Sequence, residues 1–304
     1  MITFDEQVAI VTGAGQGLGR SHALALAARG ARVVVNDLGG ARDGTGSSLS
    51  AAESVVAEIE SAGGEAMANG ADVTDPEAVD EMVASAINAW GRVDVLVNNA
   101  GILRDKSFAN MERGDFDLVV DVHLTGTANC TKAVWGHMRE AGYGRIVVTT
   151  SSSGLYGNFG QANYGAAKLG VVGLMNTLRA EGAKYDIRVN ALAPVAATRM
   201  TDDIFPENTK ALLNPEEVTP GVVFLVSKDA PNGIILAAGA GGYAAAKIYE
   251  TQGIWLEPDD RTPETIASRL ADILDPEGQQ EYKSGSEQSM KFLTGAMQGM
   301  AGTN

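Results

Sequence analysis

The sequence predicts an α/β fold: a doubly wound parallel sheet of about seven strands, followed by a C-terminal helical extension. Three observations carry this expectation. Short apolar runs alternate with helical stretches along most of the chain, the pattern of strands joined by right-handed crossovers. A glycine-rich turn, Thr12-Gly13-Ala14-Gly15-Gln16-Gly17-Leu18-Gly19, follows the first run. The second run, Arg32-Val33-Val34-Val35-Asn36, ends against an acid, Asp37.

Strands are expected near 7–12, 32–36, 66–71, 93–98, 145–150, 187–192 and 234–237, and helices near 18–29, 49–62, 76–90, 115–140, 164–184 and 215–226. Val8-Ala9-Ile10-Val11 is continuously apolar, as a strand covered on both faces should be. The glycines after it allow a tight turn and a close approach of backbone to a pyrophosphate at a helix N-terminus. Asp37 lies close to the ~20-residue offset at which an acid meets the adenosine ribose hydroxyls of a dinucleotide. Asp75-Pro76-Glu77 starts a helix, with a cap residue followed by proline in the first turn.

Two segments exceed the minimum for such a fold. Residues 38–50 form a glycine-rich insertion directly after Asp37, either a flexible loop or a flap over the adenosine end of a cofactor. Residues 243–304 extend beyond the last strand, so the chain reads as a Rossmann domain, 1–242, and a C-terminal extension, 243–304. In the extension Thr262-Pro263-Glu264 caps a stretch whose Ile266, Leu270, Ile273 and Leu274 share a helical stripe. That stripe must cover something, in this subunit or in a neighbour.

Composition sets limits. Among 304 residues, 45 % are hydrophobic and 20 % charged, an ordinary globular balance. The formal charge of −15 argues against nucleic acid and makes any CoA ester dependent on a local basic patch. A single cysteine, Cys130, permits no intrachain disulfide, and its expected place is buried in an apolar helix. His22, His123 and His137 are scattered, so no metal site is expected. The N-terminus lacks a charged-then-apolar signal pattern, and no run of about 18 apolar residues suggests a membrane span. The chain ends Gly302-Thr303-Asn304 rather than in a Ser-Lys-Leu address, and a cytoplasmic location is expected.

The chemistry is concentrated in Asn163-Tyr164-Gly165-Ala166-Ala167-Lys168, with Ser151 thirteen positions before the tyrosine. On a helix Tyr164 and Lys168 stand one turn apart on the same face. An ammonium there is expected to lower the phenol from its usual pKa of about 10, favouring proton exchange with a substrate oxygen. Ser151 ends the apolar run Arg145-Ile146-Val147-Val148-Thr149-Thr150, where its hydroxyl can bond the same oxygen.

Thr12-Gly13-x-x-x-Gly17-x-Gly19, Asp72-Val73, Asn98-Asn99-Ala100-Gly101, Ser151, Tyr164-x-x-x-Lys168 and Pro194 through Thr198 resemble the short-chain dehydrogenase/reductase family over roughly residues 5–240. Val35-Asn36-Asp37-Leu38-Gly39-Gly40, the segment from Asn99 to Asp105, and Tyr156-Gly157-Asn158-Phe159-Gly160-Gln161-Ala162-Asn163-Tyr164 are more closely similar to one branch. That branch is the (3R)-hydroxyacyl-CoA dehydrogenase part of the type 2 peroxisomal multifunctional enzymes.

The resemblance implies a catalytic set of Ser151, Tyr164 and Lys168, with His123 standing where most members carry asparagine. His123 is either a relay that holds a water or a helix residue bonded to a neighbouring backbone carbonyl. The resemblance also implies a cofactor site from Gly13, Gln16, Gly17, Leu18, Gly19, Asp37, Asp72, Val73, Asn99, Ala100, Gly101, Tyr164, Lys168, Pro194 and Thr198, with Asn98 supporting the surrounding loop. Val195 replaces the glycine of the family's Pro-Gly-x-x-x-Thr pattern. NAD is favoured: Asp37 would repel a 2′-phosphate, and Gln16 stands where phosphate-preferring members often carry a basic residue, although Arg20 and Arg42 are nearby in sequence.

Ser151, Tyr156 and Phe159 are the substrate-side candidates, with Leu155 and Met200 as further apolar lining and Arg104 and Lys106 as candidates for CoA phosphates. The expected reaction is oxidation of (3R)-hydroxyacyl-CoA to 3-oxoacyl-CoA. A hydroxysteroid or sterol side-chain dehydrogenase, a 3-oxoacyl-carrier-protein reductase, and a catalytically silent NAD-binding partner protein are the alternatives. A homodimer through the helices near 115–140 and 164–184 is expected, with a tetramer as the alternative.

Overall fold

The computed structural model describes residues 1–198 and 206–301. The chain divides into two compact units, Met1–Ala245 and Ala246–Asn304. The described residues contain eight strands in one sheet: β1 Val8–Thr12, β2 Arg32–Asn36, β3 Glu65–Asn69, β4 Val95–Asn98, β5 Gly144–Thr149, β6 Ile187–Val195, β7 Ile235–Gly239 and β8 Gly242–Ala246. Their spatial order is β3-β2-β1-β4-β5-β6-β7-β8, and the pairings from β3 through β7 are parallel. The chain direction across the sheet reverses at β1 and β4, and at such a switch point a crevice opens beyond the carboxyl ends of the strands.

In the first unit the helices are α1 Gly17–Ala27, α2 Ser50–Ser61, α3 Pro76–Trp90, α4 Arg113–Val120, α5 Gly126–Ala141, α6 Ser152–Tyr156, α7 Ala162–Gly182, α8 Glu207–Lys210 and α9 Thr219–Leu225. The second unit contains α10 Pro263–Ser268, α11 Leu270–Ile273 and α12 Gly285–Ala301. Local chemistry sets the ends of α3. Asp75 accepts from the Glu77 and Ala78 N–H groups at 3.0 and 3.3 Å, and Gly91 stops the helix at φ +78°. Val79, Met82, Val83 and Ala86, spaced by three and four, are its buried face. Every residue of β1 and β5 is buried, which explains the apolar runs Val8–Val11 and 146–148.

Three expectations need correction. The helix expected over 115–140 is two helices joined by a π-helical turn, Asp121–Thr125, in which the Gly126 N–H reaches back to the Asp121 carbonyl. An eighth strand, β8, follows β7 through a tight turn at Ala240 (φ +49°) and Gly241 (φ +73°). Its Gly-Tyr-Ala-Ala-Ala sequence carries no strand alternation, so only the turn could have signalled it. The stripe after Thr262 is interrupted at Arg269, which leaves α10 and α11 as short separate helices, and Ile266, Leu270 and Leu274 are exposed. The segment that becomes α12 had no expectation, because its glycines and small polar residues dilute a helical pattern.

The outer end of β5 is fixed by an unusual buried group. Arg145 is 0 % exposed. Its guanidinium donates to the carbonyls of Ser227, Gly144, Asp186 and Lys228 at 3.0, 2.8, 2.6 and 3.0 Å, and to the Asp186 carboxylate at 3.0 Å. The same strand delivers Ser151 at its other end. Arg145→Met should therefore lower unfolding free energy by about 3–5 kcal/mol, because several buried acceptors lose their donor together. Urea denaturation of the two proteins measures it.

Candidate active site

The crevice holds two adjoining cavities that share Leu18, Asn99, Gly101 and Thr198. The first lies over the glycine turn. Gly13 (φ +62°) and Gly17 (φ +55°) adopt backbone that a side chain would strain. The Asn99 amide donates to the carbonyls of Thr12 and Gly13, both at 3.0 Å, and Thr12 Oγ1 accepts from the Asn99 and Ala100 N–H groups, both at 3.0 Å. These bonds clamp the turn to the end of β4. Asn99, not Asn98, therefore supports the loop. Asn98 lies on the opposite side of the pleat and donates to Thr131 Oγ1 of α5 at 3.2 Å.

α1 begins beneath this cavity. Gln16 precedes it in extended backbone and offers no side-chain cap, and no acid occupies the first turn. The positive end of the helix faces the cavity with nothing of opposite charge from α1 itself. Asp37 Oδ2 accepts from the Gly15 N–H and Oδ1 from the Gly39 N–H, each at 2.7 Å, so the carboxylate is fixed at the cavity wall with acceptor capacity to spare. Asp72, Val73, Ala100 and Gly101 also line it. Asp72 Oδ1 accepts from Thr74 N–H at 2.9 Å and Thr74 Oγ1 at 2.8 Å, which fixes its turn.

Part of the 38–50 insertion, the flap, lies along the first cavity. It bonds to itself through Ala41 N–H to Thr45 O at 2.7 Å and Ser48 N–H to Leu38 O at 2.9 Å. Leu38, Gly40, Ala41 and Gly44 wall the cavity beside Asp37. Two bonds tie the flap to the segment after Gly101: Leu103 N–H to Arg42 O at 3.0 Å and Arg104 Nε to Asp43 O at 2.9 Å.

The second cavity gathers Ser151, Tyr164, Lys168, His123, Tyr156 and Pro194. Ser151 caps α6, accepting from the Ser153 N–H at 3.1 Å, and its hydroxyl acts on the Tyr164 phenol so as to favour the ionised form. Lys168, one turn along α7, is 4 % exposed and donates to the Thr149 carbonyl at 2.6 Å, with Nζ 5.5 Å from the centre of the Tyr164 ring. The geometry is as expected, but the electrostatics are not. Burial pushes the Tyr164 phenol up to about 12, against a lowering by the Ser151 hydroxyl and with a further push from Asp105. Burial likewise pulls the Lys168 amine down to about 7. Both groups sit where a charge is poorly solvated, so the protein by itself favours their neutral forms over a phenolate–ammonium pair.

His123 is buried in the π-helical turn, its ring edge-on to Tyr164 at 5.0 Å between centroids and 89° between planes. Nε2 lies 2.8 Å from Ile102 O and 3.1 Å from Ile102 N, so its partner is backbone from a distant segment rather than from its own helix. Burial, then the Lys168 charge, hold the imidazole well below its usual pKa, and it remains neutral across neutral pH. The ring also fills the space above Gly101, where a Cβ would meet His123 Cε1 at 2.2 Å.

Several substrate-side expectations shift. Tyr156 lines the second cavity while 76 % exposed, at its mouth. Phe159, between turns at Gly157 (φ +81°) and Gly160 (φ +82°), is 90 % exposed and lies outside the lining, as does Leu155 of α6. Met200 lies outside the described residues. Arg104 and Lys106 both pair with Asp115, at 3.1 and 2.9 Å, which largely spends their charge within the protein. Arg20 pairs with Glu58. Val195 is the last residue of β6, in register with Gly239 of β7; a Cβ on Gly239 would meet Val195 Cβ at 2.8 Å. The strand runs through the position, so β7 carries the small residue instead. Cys130 is buried with its thiol pushed up to about 12, His22 is buried against Thr219 Oγ1 at 2.8 Å, and His137 is exposed.

Sequence reading gave no role to Asn163, Gln161 and Asp105, which lie beside Tyr164: Gln161 donates to Asp105, and Asn163 accepts from the Tyr164 N–H. The available signal was their place, two polar residues crowded against the tyrosine at a helix start.

A family model described as short chain dehydrogenase matches residues 7–209. A short-chain type dehydrogenase/reductase of Mycobacterium tuberculosis is 49 % identical over 276 residues, covering 90 % of this chain and 96 % of that one. The solved full-length peroxisomal multifunctional enzyme type 2 of Drosophila melanogaster superposes with a TM-score of 0.80 at 36 % identity; the match covers 96 % of this chain but 50 % of that one. A solved 7α-hydroxysteroid dehydrogenase, complexed with NADH and 7-oxo glycochenodeoxycholic acid, gives a TM-score of 0.71 at 30 % identity over 79 % of this chain and 95 % of that one.

One close approach lies behind the glycine turn. A Cβ on Gly19 would stand 2.1 Å from Gly13 O and 2.6 Å from Asn99 Nδ2. Gly19→Ala should cost about 1–3 kcal/mol, whereas Gly173→Ala, on an exposed face of α7 with nothing within 4 Å, should not destabilise. Thermal melts of both variants check this.

Proposed function

Given that this chain belongs to the short-chain dehydrogenase family, we propose that it oxidises (3R)-hydroxyacyl-CoA to 3-oxoacyl-CoA with NAD, using Tyr164 to move the proton. The enzyme is an oxidoreductase acting on CH–OH, and the observation that carries the reading is the meeting of Ser151, Tyr164 and Lys168 in a cavity that adjoins the glycine-turn cavity. The residues present fit a dinucleotide. An uncapped helix start suits the pyrophosphate, and the fixed Asp37 carboxylate suits ribose hydroxyls. Asp72 and Val73 would meet the adenine, and Gly13, Gln16, Gly17, Leu18, Asn99, Ala100 and Gly101 the backbone between, with Gly19 packed behind the glycine turn. Pro194 and Thr198 would meet the nicotinamide end, and Lys168 its ribose. When bound, the nicotinamide dinucleotide accepts the hydride in oxidation and supplies it in reduction.

The protein's own work is proton transfer. A substrate oxygen accepts from the Ser151 hydroxyl and shares a proton with Tyr164. In oxidation the ionised phenol removes the hydroxyl proton; in reduction the neutral phenol donates it. The Lys168 amine, held by the Thr149 carbonyl, stabilises the ionised form whenever it is protonated. His123 serves by holding the 102 backbone and the edge of the tyrosine ring, a packing role rather than a relay.

The acyl-CoA substrate is supported by the full-length structural relative named above and by the apolar mouth formed by Leu103, Tyr156 and Val195. That mouth suits a steroid as well, and the relative solved with a bile-acid ketone favours a hydroxysteroid as the second reading. Initial rates with a (3R)-hydroxyacyl-CoA series and a hydroxysteroid series, each with NAD and with NADP, separate the two.

Tyr164→Phe should reduce turnover by about 10²–10⁴-fold while leaving NADH affinity nearly unchanged. Because the phenol is pushed up to about 12, its acid form prevails at neutral pH. In wild type, kcat/KM for alcohol oxidation should therefore climb about tenfold per pH unit toward its alkaline break while that for ketone reduction stays flat. Stopped-time assays from pH 6 to 10 record both. Asp37→Ser removes the charge that opposes a 2′-phosphate. The NAD-to-NADP ratio of kcat/KM should fall by about tenfold or more, each tenfold being about 1.4 kcal/mol.

A further inference from the structure

Asn163 is 0 % exposed and immediately precedes Tyr164 in α7. The first N–H groups of a helix have no partner within it. Gln161, the residue before α7, offers no side-chain cap. Asn163 substitutes for it from inside the first turn: its Oδ1 accepts from the Tyr164 N–H at 2.8 Å. Its Nδ2 then donates to the carbonyls of Arg104 and Asp115, at 3.1 and 3.2 Å. One carboxamide thus joins the tyrosine's backbone to the 103–106 segment and to α4. Its acceptor and both its donor directions are used, a combination that neither a carboxylate nor a hydroxyl can supply.

The anchors are themselves fixed. Gln161 Nε2 donates to Asp105 Oδ2 at 2.6 Å, and Lys106 N–H donates to Gly160 O at 2.9 Å. The Asp115 carboxylate bonds Arg104 and Lys106, and Arg104 bonds the flap at Asp43 O. Ser151 enters the same cavity from a different element, the start of α6, so its place relative to Tyr164 depends on how the start of α7 is seated.

We infer that Asn163 is a positioning residue for the reaction: its carboxamide seats the first turn of α7 and so sets where the Tyr164 hydroxyl stands against Ser151. The inference rests on the reading of Tyr164 as the proton-transfer group. Asn163 touches no substrate atom and acts through Tyr164. The titratable groups facing the phenol are Lys168 from α7, His123 from the π-helical turn and Asp105 from the 103–106 segment. A loosened α7 start weakens the influence of the Ser151 hydroxyl, which favours the ionised phenol, and leaves burial and Asp105 to oppose it.

The test compares wild type, Tyr164→Phe, Asn163→Ala and Asn163→Ser in oxidation of (3R)-hydroxybutyryl-CoA with NAD. NADH affinity is followed by fluorescence, the folded fraction by NADH titration, and kcat/KM across pH. Asn163→Ala is expected to lower kcat per folded site about a hundredfold, the cost of a misplacement near 1 Å, with KM and NADH affinity little changed. Its alkaline break should move to higher pH. Asn163→Ser, whose hydroxyl can still accept from the Tyr164 N–H, should fall between, and it carries the test if the alanine variant does not fold. Wild-type kcat per folded site and an unmoved break in both Asn163 variants, with Tyr164→Phe inactive, would overturn this inference alone. An active Tyr164→Phe would remove the functional reading and this inference with it.

Discussion

Everything in the crevice depends on how closely two loops approach at the switch point of the sheet. The glycine turn after β1 and the Asn99-Ala100-Gly101 bend after β4 touch through backbone, and a Cβ on Gly13 would meet Ala100 Cα at 2.8 Å. Side-chain bonds from Asn99 and Thr12 hold that contact on both sides. A parallel sheet supplies the opportunity, because it delivers both strand ends to the same edge. Only glycine lets the loops take it up.

The same crowding governs the chemistry. Lys168 is buried and Tyr164 half-buried at the cavity wall, and desolvation acts oppositely on the two groups, raising the phenol and lowering the amine. The site is therefore poised as an uncharged pair whose ionisation must be induced. Positive charge brought into the adjoining cavity would do so, and the low local dielectric makes such an influence larger than it would be in water. A tyrosine already ionised at rest would lack this dependence.

The sheet was legible because its central strands are largely apolar runs, and α3 because Asp75 and Gly91 punctuate it. Ser151, Tyr164 and Lys168 were legible because a strand end and a helical spacing of four fix their meeting. Other features follow from tertiary circumstances that a linear reading does not contain. The state of the phenol depends on burial from several elements. Asn98 and Asn99 are adjacent in sequence, and which of them faces the turn is decided by the phase of the pleat. Asn163 gains its role only because residues 104 and 115 are brought against it. Phe159, by contrast, has the composition of a lining residue yet is exposed between two glycine turns.

The wide turn at Asp121–Thr125 has a bearing on what changes of length this chain can absorb. An extra residue is lodged there, and the phase of α5 relative to α4 is offset by about 100° from that of an uninterrupted helix. Removing one amino acid would straighten the rod and rotate everything downstream. Thr131 would swing away from Asn98, and the Gly126 face, packed so tightly that a Cβ would strike Val73 Cγ2 at 2.6 Å, would point elsewhere. Surface bends can lengthen or shorten across descendants of such a protein, but this stretch tolerates neither: its residue tally is as constrained as its chemistry.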